Sequence, residues 1–198
     1  MAAYRSVAVF CGSRLGVQQT FRKAAEELGA GLGRAGLRLV YGGGSTGLMG
    51  ALANAALAAG GEVIGVIPEF LTRLEAAHSG VTELVITESM HARKQRMFAL
   101  ADAFVMFPGG LGTLDETIEV ITWRQLRLHE KPIFLCDIAG FAQPILAAIE
   151  AMIAEGFAPV EARSFFEVVR SVPLLLQRLE AVLPVLPAAS EGNGSERL

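Results

Sequence analysis

Apolar and polar positions along the chain form two alternating kinds of segment. Six short and almost continuous apolar runs predict buried β-strands, and longer segments with apolar residues at helical spacing lie between them. The predicted strands span about 6–11, 38–41, 62–67, 83–87, 103–107 and 132–136. The predicted helices span about 18–35, 47–59, 90–101, 113–128 and 141–155. This alternation predicts an α/β fold: a doubly wound, Rossmann-like parallel sheet with helices on both faces.

The C-terminal part of the pattern predicts a short strand over about 165–169 and a last helix over about 173–183. From residue 187 onward the sequence is polar, contains glycine and has no periodicity, which is typical of a disordered tail. No linker-like segment divides the residues before it. We therefore expect one nucleotide-binding catalytic domain over residues 1–186, followed by a disordered tail over 187–198.

Composition and charge exclude several classes of protein. With 52% hydrophobic and 19% charged residues, the chain of 198 residues is typical of a globular protein. The net charge of −3 gives no general attraction for nucleic acid or an anionic membrane, so we expect neither as a partner. The segment 39–61 is uncharged, but its seven glycines argue against a membrane-spanning helix. We find no secretion signal and expect a cytoplasmic protein.

The two cysteines and the histidines do not predict a metal site. Cys11 and Cys136 each end a predicted strand and have no metal-ligand partners nearby in sequence, which is typical of buried thiols in a reducing compartment. His78 and His129 also lack neighbours at metal-ligand spacing. We expect the chain to use neither a metal nor a cofactor.

Three predicted strands end in glycine-rich or small polar sequence, at residues 11–13, 42–47 and 108–113. Ligands of doubly wound sheets bind beyond the carboxyl ends of strands, where the strand order reverses. We therefore expect these three segments to border one crevice. The first strand is not followed by the dinucleotide motif Gly-x-Gly-x-x-Gly, which disfavours an NAD-dependent dehydrogenase. The phosphate-loop motif Gly-x-x-x-x-Gly-Lys-Ser/Thr is also missing, which disfavours an ATPase.

The run Pro108–Glu116 predicts an anion site with a carboxylate at its rim. Its glycines allow close approach of the backbone, and the positive end of the following helix favours a phosphate. A carboxylate beside a phosphate indicates chemistry, because like charges repel. However, Thr113 and Glu116 also have the spacing of a capping box, in which each side chain satisfies a backbone donor of the other residue. The spacing alone leaves both interpretations open.

A second segment, Met90–Lys94, begins the helix before that run, with Ser89 as its predicted N-cap. Arg93 and Lys94 point about 100° apart on a helix, so they need not bind the same partner. The ordinary interpretation is an exposed basic helix face. The scarcity of lysine, with three in the chain, favours a functional role instead.

Together the segments Gly42–Gly50, Met90–Lys94 and Pro108–Glu116 resemble the motifs of the Lonely Guy family of cytokinin-activating enzymes, over about residues 5–180. The resemblance implies a cytosolic homodimer that hydrolyses the N-glycosidic bond of N6-modified adenosine 5′-monophosphates to the free base and ribose 5-phosphate. Many relatives carry the name lysine decarboxylase. A pyridoxal enzyme needs a lysine for its Schiff base, and Lys94 is the only lysine near a motif.

The resemblance also implies the site residues. The catalytic pair falls on Arg93 and Glu116. Contacts to the nucleotide monophosphate fall on Glu75, Arg93, Lys94, Gly110, Leu111, Gly112, Thr113, Leu114, Asp115, Glu116 and Thr122, with Ser13, Gly44 and Ser45 as further candidates beside the crevice. The segment 70–82 matches the family less well, so recognition of the N6 substituent is the least defined part. We expect the phosphate on the N–H groups of Gly110, Gly112 and Thr113.

Two alternatives remain open at this point. One is a general nucleosidase that acts on plain AMP, and the other is a carrier that holds a phosphate-bearing cofactor such as molybdenum cofactor without turnover. Arg93 and Glu116 favour the enzyme, because a carrier does not need a carboxylate at a scissile bond. The helix over 117–128 has more large apolar residues than one buried face needs, and the family resemblance favours a homodimer as the explanation.

Overall fold

A computed structural model describes residues 5–72 and 76–183, and it contains one seven-stranded parallel sheet. The strands are β1 (Ser6–Phe10), β2 (Arg38–Tyr41), β3 (Val63–Pro68), β4 (Glu83–Thr87), β5 (Ala103–Met106), β6 (Ile133–Cys136) and β7 (Glu167–Val169). Their order across the sheet is β4-β3-β2-β1-β5-β6-β7, so the order reverses between β1 and β5. The predicted α/β fold with a doubly wound, Rossmann-like sheet is confirmed.

Helices cover both faces of this sheet. They are α1 (Gln19–Arg34), α2 (Gly47–Ala58), α3 (Met90–Leu100), α4 (Leu111–Gln125), α5 (Gln143–Ala154) and α6 (Val172–Val182). One apolar cluster joins the sheet to α1, α2 and α6, and the other joins it to α3, α4 and α5. Successive residues of β1 alternate between the clusters, with Val7 in the first and Ala8 in the second. A strand buried on both faces therefore has the continuous apolar sequence that predicted it.

The boundaries of α4 correct one sequence prediction. The helix begins at Leu111, with Gly110 in the N-cap position and no side-chain cap. The capping-box interpretation is therefore wrong, because Thr113 already lies inside the first turn. The helix ends at Gln125, before the predicted residue 128, and Arg127 has a left-handed backbone with φ of 58° that an α-helix does not accommodate.

Two other sequence predictions are confirmed, and two fall on residues that the structure does not describe. Ser89 is the N-cap of α3, and its Oγ accepts a hydrogen bond from the N–H of Ala92 at 3.1 Å. Cys11 and Cys136 are buried free thiols, as predicted. Glu75 and the tail over 187–198 lie outside the described residues. Within the described ranges, none of the helices has the length and apolar character needed to cross a bilayer.

Candidate active site

The reversal of strand order brings the loops after β1, β2 and β5 together around the backbone N–H and carbonyl of Gly12. Its N–H donates to the carbonyl of Pro108 at 3.0 Å, while its carbonyl accepts from the N–H groups of Leu48 and Met49 at 3.0 and 3.2 Å. A cleft of about 200 Å³ opens beside this junction. Its lining residues are Cys11, Gly12, Ser13, Met49, Arg93, Gly110, Leu111, Gly112, Thr113 and Glu116.

The N-terminus of α4 forms one wall of this cleft. The first backbone hydrogen bond of the helix runs from the N–H of Leu114 to the carbonyl of Gly110, at 3.1 Å. The N–H groups of Leu111, Gly112 and Thr113 therefore have no acceptor within the helix. These donors and the positive end of the helix dipole favour an anion at this wall.

Glu116 lies in the second turn of α4, and 7% of its surface is exposed. Burial raises the pKa of its carboxyl from 4.5 to about 7, while Arg93 lowers this pKa and Asp115 raises it. The carboxylate Oε1 lies 3.3 Å from Nη1 of Arg93. A buried carboxyl that ionises near neutral pH beside an anion site is suited to acid–base chemistry.

Arg93 is fixed from several sides in the first turns of α3. Its Nε donates to the carbonyl of Val66 at 3.1 Å, and its Nη1 also lies 3.9 Å from Sδ of Met90. The residue is 8% exposed. These contacts orient the guanidinium towards Glu116 across the cleft.

Lys94 has different partners from Arg93. Its Nζ lies 3.1 Å from Oδ2 of Asp115 and 3.3 Å from Oε1 of Glu119. Burial is the largest single influence on the pKa of Lys94 and lowers it, but the hydrogen bonds and the charges of these two carboxylates together raise it above its usual value. Lys94 borders a narrow crevice between α3 and α4 that includes Trp123, and it is not among the residues that line the cleft.

The structure separates the remaining residues of α4 that the family resemblance implies. Leu114, Asp115 and Thr122 have exposed positions on the helix and do not line the cleft. Thr122 lies about 15 Å from Gly112 along the helix axis, from the rise per residue. The cleft of a single chain therefore brings together only some of the predicted residues.

Gly44 and Ser45 bind the loop that follows β3. Gly44 forms an isolated β-bridge with Ala77, and Ser45 donates to the carbonyl of Ala76 from its N–H at 3.0 Å and from its Oγ at 2.6 Å. These two residues hold the chain at Ala76 and Ala77, and neither of them lines the cleft. Ser13, the third of the less defined candidates, does line it.

Cys11 and Met49 line the cleft, although neither is among the site residues predicted from the sequence. Met49 lies in the motif Gly42–Gly50, and this motif is the sequence feature from which Met49 could have been predicted as a site residue. Burial, with a smaller contribution from Glu116, raises the pKa of the Cys11 thiol well above its usual range. The thiol therefore stays protonated and is a poor nucleophile. Among the residues that the structure describes, no group of three His, Cys, Asp or Glu side chains is placed to hold a metal.

Comparison with known proteins identifies close relatives. A family model described as "Possible lysine decarboxylase" matches residues 49–179. A probable cytokinin riboside 5′-monophosphate phosphoribohydrolase of Oryza sativa subsp. japonica is 45% identical over 182 residues, which are 92% of this chain and 80% of that protein. A cytokinin riboside 5′-monophosphate phosphoribohydrolase of Rhodococcoides fascians is 49% identical over 161 residues, which are 81% of each chain.

Solved structures show the same fold at lower sequence identity. The molybdenum cofactor binding protein from Rippkaea orientalis matches with a TM-score of 0.69 and 20% identity, over 90% of this chain and 97% of that one. The molybdenum cofactor carrier protein from Chlamydomonas reinhardtii matches with a TM-score of 0.69 and 21% identity, over 91% and 98%. These matches bear on the fold alone. The family model and the identities of 45% and 49% over most of the chain show that it belongs to the Lonely Guy family, whose members include cytokinin riboside 5′-monophosphate phosphoribohydrolases.

Proposed function

We propose that this protein hydrolyses the N-glycosidic bond of N6-modified adenosine 5′-monophosphates and releases a cytokinin base and ribose 5-phosphate. The observation that carries the proposal is the position of Glu116, a buried carboxyl with a pKa of about 7, in the same cleft as the open N-terminus of α4. The names of the relatives support the same activity. We propose a cytoplasmic enzyme.

The N-terminus of α4 binds the phosphate in this proposal. The N–H groups of Leu111, Gly112 and Thr113 hold its oxygens, and Ser13 lies in the same cleft. Glu116 follows Gly112 by about 6 Å along the helix axis, a separation that suits the span from the 5′-phosphate to the anomeric carbon of a ribose. Binding energy at the phosphate thus places the reacting carbon beside the carboxylate.

Glu116 performs the chemical step. As the bond between the anomeric carbon and the purine nitrogen breaks, its electron pair leaves with the purine, and positive charge develops on the anomeric carbon. The Glu116 carboxylate stabilises this charge and removes a proton from the water that adds to the carbon. That proton then passes through solvent to the departed purine, so that the base is released neutral and Glu116 is ionised again. Arg93 remains protonated, orients the carboxylate and increases its ionised fraction at neutral pH.

The outer residues have supporting roles in the proposal. Lys94 holds Asp115 and Glu119 of α4 against α3, and the charges of these three residues add smaller contributions to the pKa of Glu116 than burial and Arg93 do. Among the described residues, no lysine lines the cleft. A pyridoxal-dependent decarboxylation would need such a lysine.

The exposed face of α4 supports a homodimer. Leu111, Leu114 and Ile118 are exposed at 86%, 36% and 36%, and their spacing puts them on one face of the helix. Thr122 continues that face. We propose that a second copy covers it, and that Thr122 and position 75 contact the nucleotide in that assembly.

The test is the release of free base from isopentenyladenosine monophosphate, and from AMP in a parallel reaction. Chromatography measures the amount of base released. We expect base from the cytokinin nucleotide with the wild-type protein, and a loss of about 10³-fold or more with Glu116→Gln. Asp115→Asn is the matched control because it also removes one carboxylate from α4, and we expect it to retain most of the turnover.

The outcomes separate the alternatives. Equal rates with AMP would identify a general nucleosidase. Nucleotide binding without release of base from either substrate would contradict the hydrolase and favour a carrier. Full activity of Glu116→Gln would exclude the role proposed for the carboxylate.

A further inference from the structure

Gly42 lies directly after β2, where it packs against the guanidinium of Arg93. A Cβ atom at position 42 would overlap Nη2 of Arg93 and would stand 2.9 Å from Sδ of Met49. Both of these atoms belong to the ends of flexible side chains. An added methyl group is therefore accommodated when the side chains move, and the backbone of the sheet keeps its position.

Arg93, however, cannot move without losing the contacts that place it. Its Nε bonds the carbonyl of Val66 at 3.1 Å, and its Nη1 lies 3.3 Å from Glu116. The guanidinium thus has a carbonyl on one side, a carboxylate on another, and the bare Cα of Gly42 beside Nη2. The missing side chain at position 42 provides the space for this arrangement.

Other glycines of the motif Gly42–Gly50 have a different environment. Gly43 and Gly47 have φ of +78° and +64°, in the left-handed region that favours glycine. A Cβ atom at Gly47 would overlap the backbone of Ser13, and one at Gly50 would overlap the backbone of Ser45. These glycines therefore serve the fold, whereas the nearest neighbour of Gly42 is the catalytic arginine.

We propose that Gly42 is a positioning residue, whose lack of a side chain seats the Arg93 guanidinium against Glu116. The proposal rests on the proposed function, because it assigns Gly42 to the reaction through Arg93. The glycine-rich turn after β2 then serves the catalytic arginine, and the phosphate is held by the first turn of α4.

The test is Gly42→Ala. We expect kcat for isopentenyladenosine monophosphate to fall about 10²-fold, the cost of a displacement of about 1 Å at a reacting centre, with KM within about threefold of wild type. The melting temperature should stay within about 4 °C of the wild-type value. Gly80→Ala is the matched control, because a Cβ there meets only ring atoms of His78, and we expect it to behave as wild type.

A second experiment separates an effect through Arg93 from a general structural effect. Lysine has no atom equivalent to Nη2, so adding Gly42→Ala to Arg93→Lys should lower kcat by less than about threefold. A full loss of about 10²-fold in that background would overturn the proposal.

A third readout does not need turnover. Displacement of Arg93 removes a charge that lowers the pKa of Glu116. The Glu116 titration midpoint, followed by NMR of ¹³C-carboxyl-labelled glutamate, should therefore move upward in Gly42→Ala. An unchanged midpoint would overturn the proposal. If the wild type released no base, the proposed function would be contradicted instead. The titration midpoint of Glu116 would still show whether Gly42 determines the position of the Arg93 guanidinium.

Discussion

Two adjacent residues of α3, Arg93 and Lys94, pair with carboxylates of α4 in different environments. The side chains of Arg93 and Glu116 are 10% and 9% exposed, and both line the cleft. In the other pair, Lys94 is 18% exposed and Asp115 is 59% exposed, and neither side chain lines the cleft. The inner pair is buried beside a cavity, whereas the outer pair lies near the surface.

Burial distinguishes the pair that we propose for the chemistry from the pair that joins α3 to α4. An exposed pair contributes about 1 kcal/mol or less to stability and leaves its carboxylate in water. A buried pair has a large desolvation cost, and an apolar replacement of equal volume often stabilises a protein. The retention of Arg93 and Glu116 inside the fold is therefore better explained by reactivity than by stability.

The largest expected difference is in turnover. Arg93→Gln should lower kcat by about 10²-fold or more, because it removes the charge that orients and ionises Glu116. Lys94→Met should leave kcat within about fivefold of wild type, because its partners lie outside the cleft. The measurement is the initial rate of base release at saturating nucleotide. Equal losses in the two variants would break the distinction between the inner and outer pairs.

The next expected effect is on stability. Glu116 has a pKa of about 7 in the folded protein and about 4.5 when unfolded, so its charge destabilises the fold by about 3 kcal/mol above pH 7. This penalty is absent below pH 4.5 and grows as pH rises from there to 7. Glu116→Gln should therefore raise the unfolding free energy at pH 8 and leave it nearly unchanged at pH 4.5. Urea denaturation at the two pH values measures both, and a destabilised variant at pH 8 would contradict burial of the charge.

The smallest expected effect is a shift in the pH profile. The rate should rise with pH through about 7 as Glu116 ionises, since its charged form is the active one. Lys94 lowers the pKa of Glu116 and Asp115 raises it. The midpoint should therefore move upward in Lys94→Met and downward in Asp115→Asn, each by less than about one pH unit because these outer charges are screened. Rates measured from pH 5 to 9 at constant ionic strength give the direction of each midpoint shift. If both variants shifted the midpoint in the same direction, the charges of Lys94 and Asp115 could not be the cause.

The sequence predicted the inner strands of the sheet well because they are buried on both faces, and it also predicted the edge strand β4, which is partly exposed. Residues 38–41 and 83–87 have the bounds of the observed strands, and Ser89 is the predicted N-cap. Helix termini that depend on loop geometry were less predictable. Thr113 had a suitable spacing for a cap, but the backbone at Gly110 starts the helix earlier.

The site was only partly accessible from the sequence. The helical geometry correctly separated Arg93 from Lys94, but it did not identify the partner of either residue. The contact between Gly42 and Arg93 joins residues 51 positions apart, and it exists only because β2 lies beside β3, which supplies the Val66 carbonyl. No local pattern in the sequence encodes such an arrangement.

The backbone carbonyl of Gly12 affects which nucleotides can bind in the cleft. This carbonyl occupies the N–H groups of Leu48 and Met49 at the start of α2, while the corresponding donors of α4 stay open. Of these two neighbouring helices, only α4 offers its terminus to an anion. The chain's own backbone thus occupies donors that a second phosphate would use, and under the proposed function we expect this edge of the sheet to favour monophosphates over diphosphates and dinucleotides.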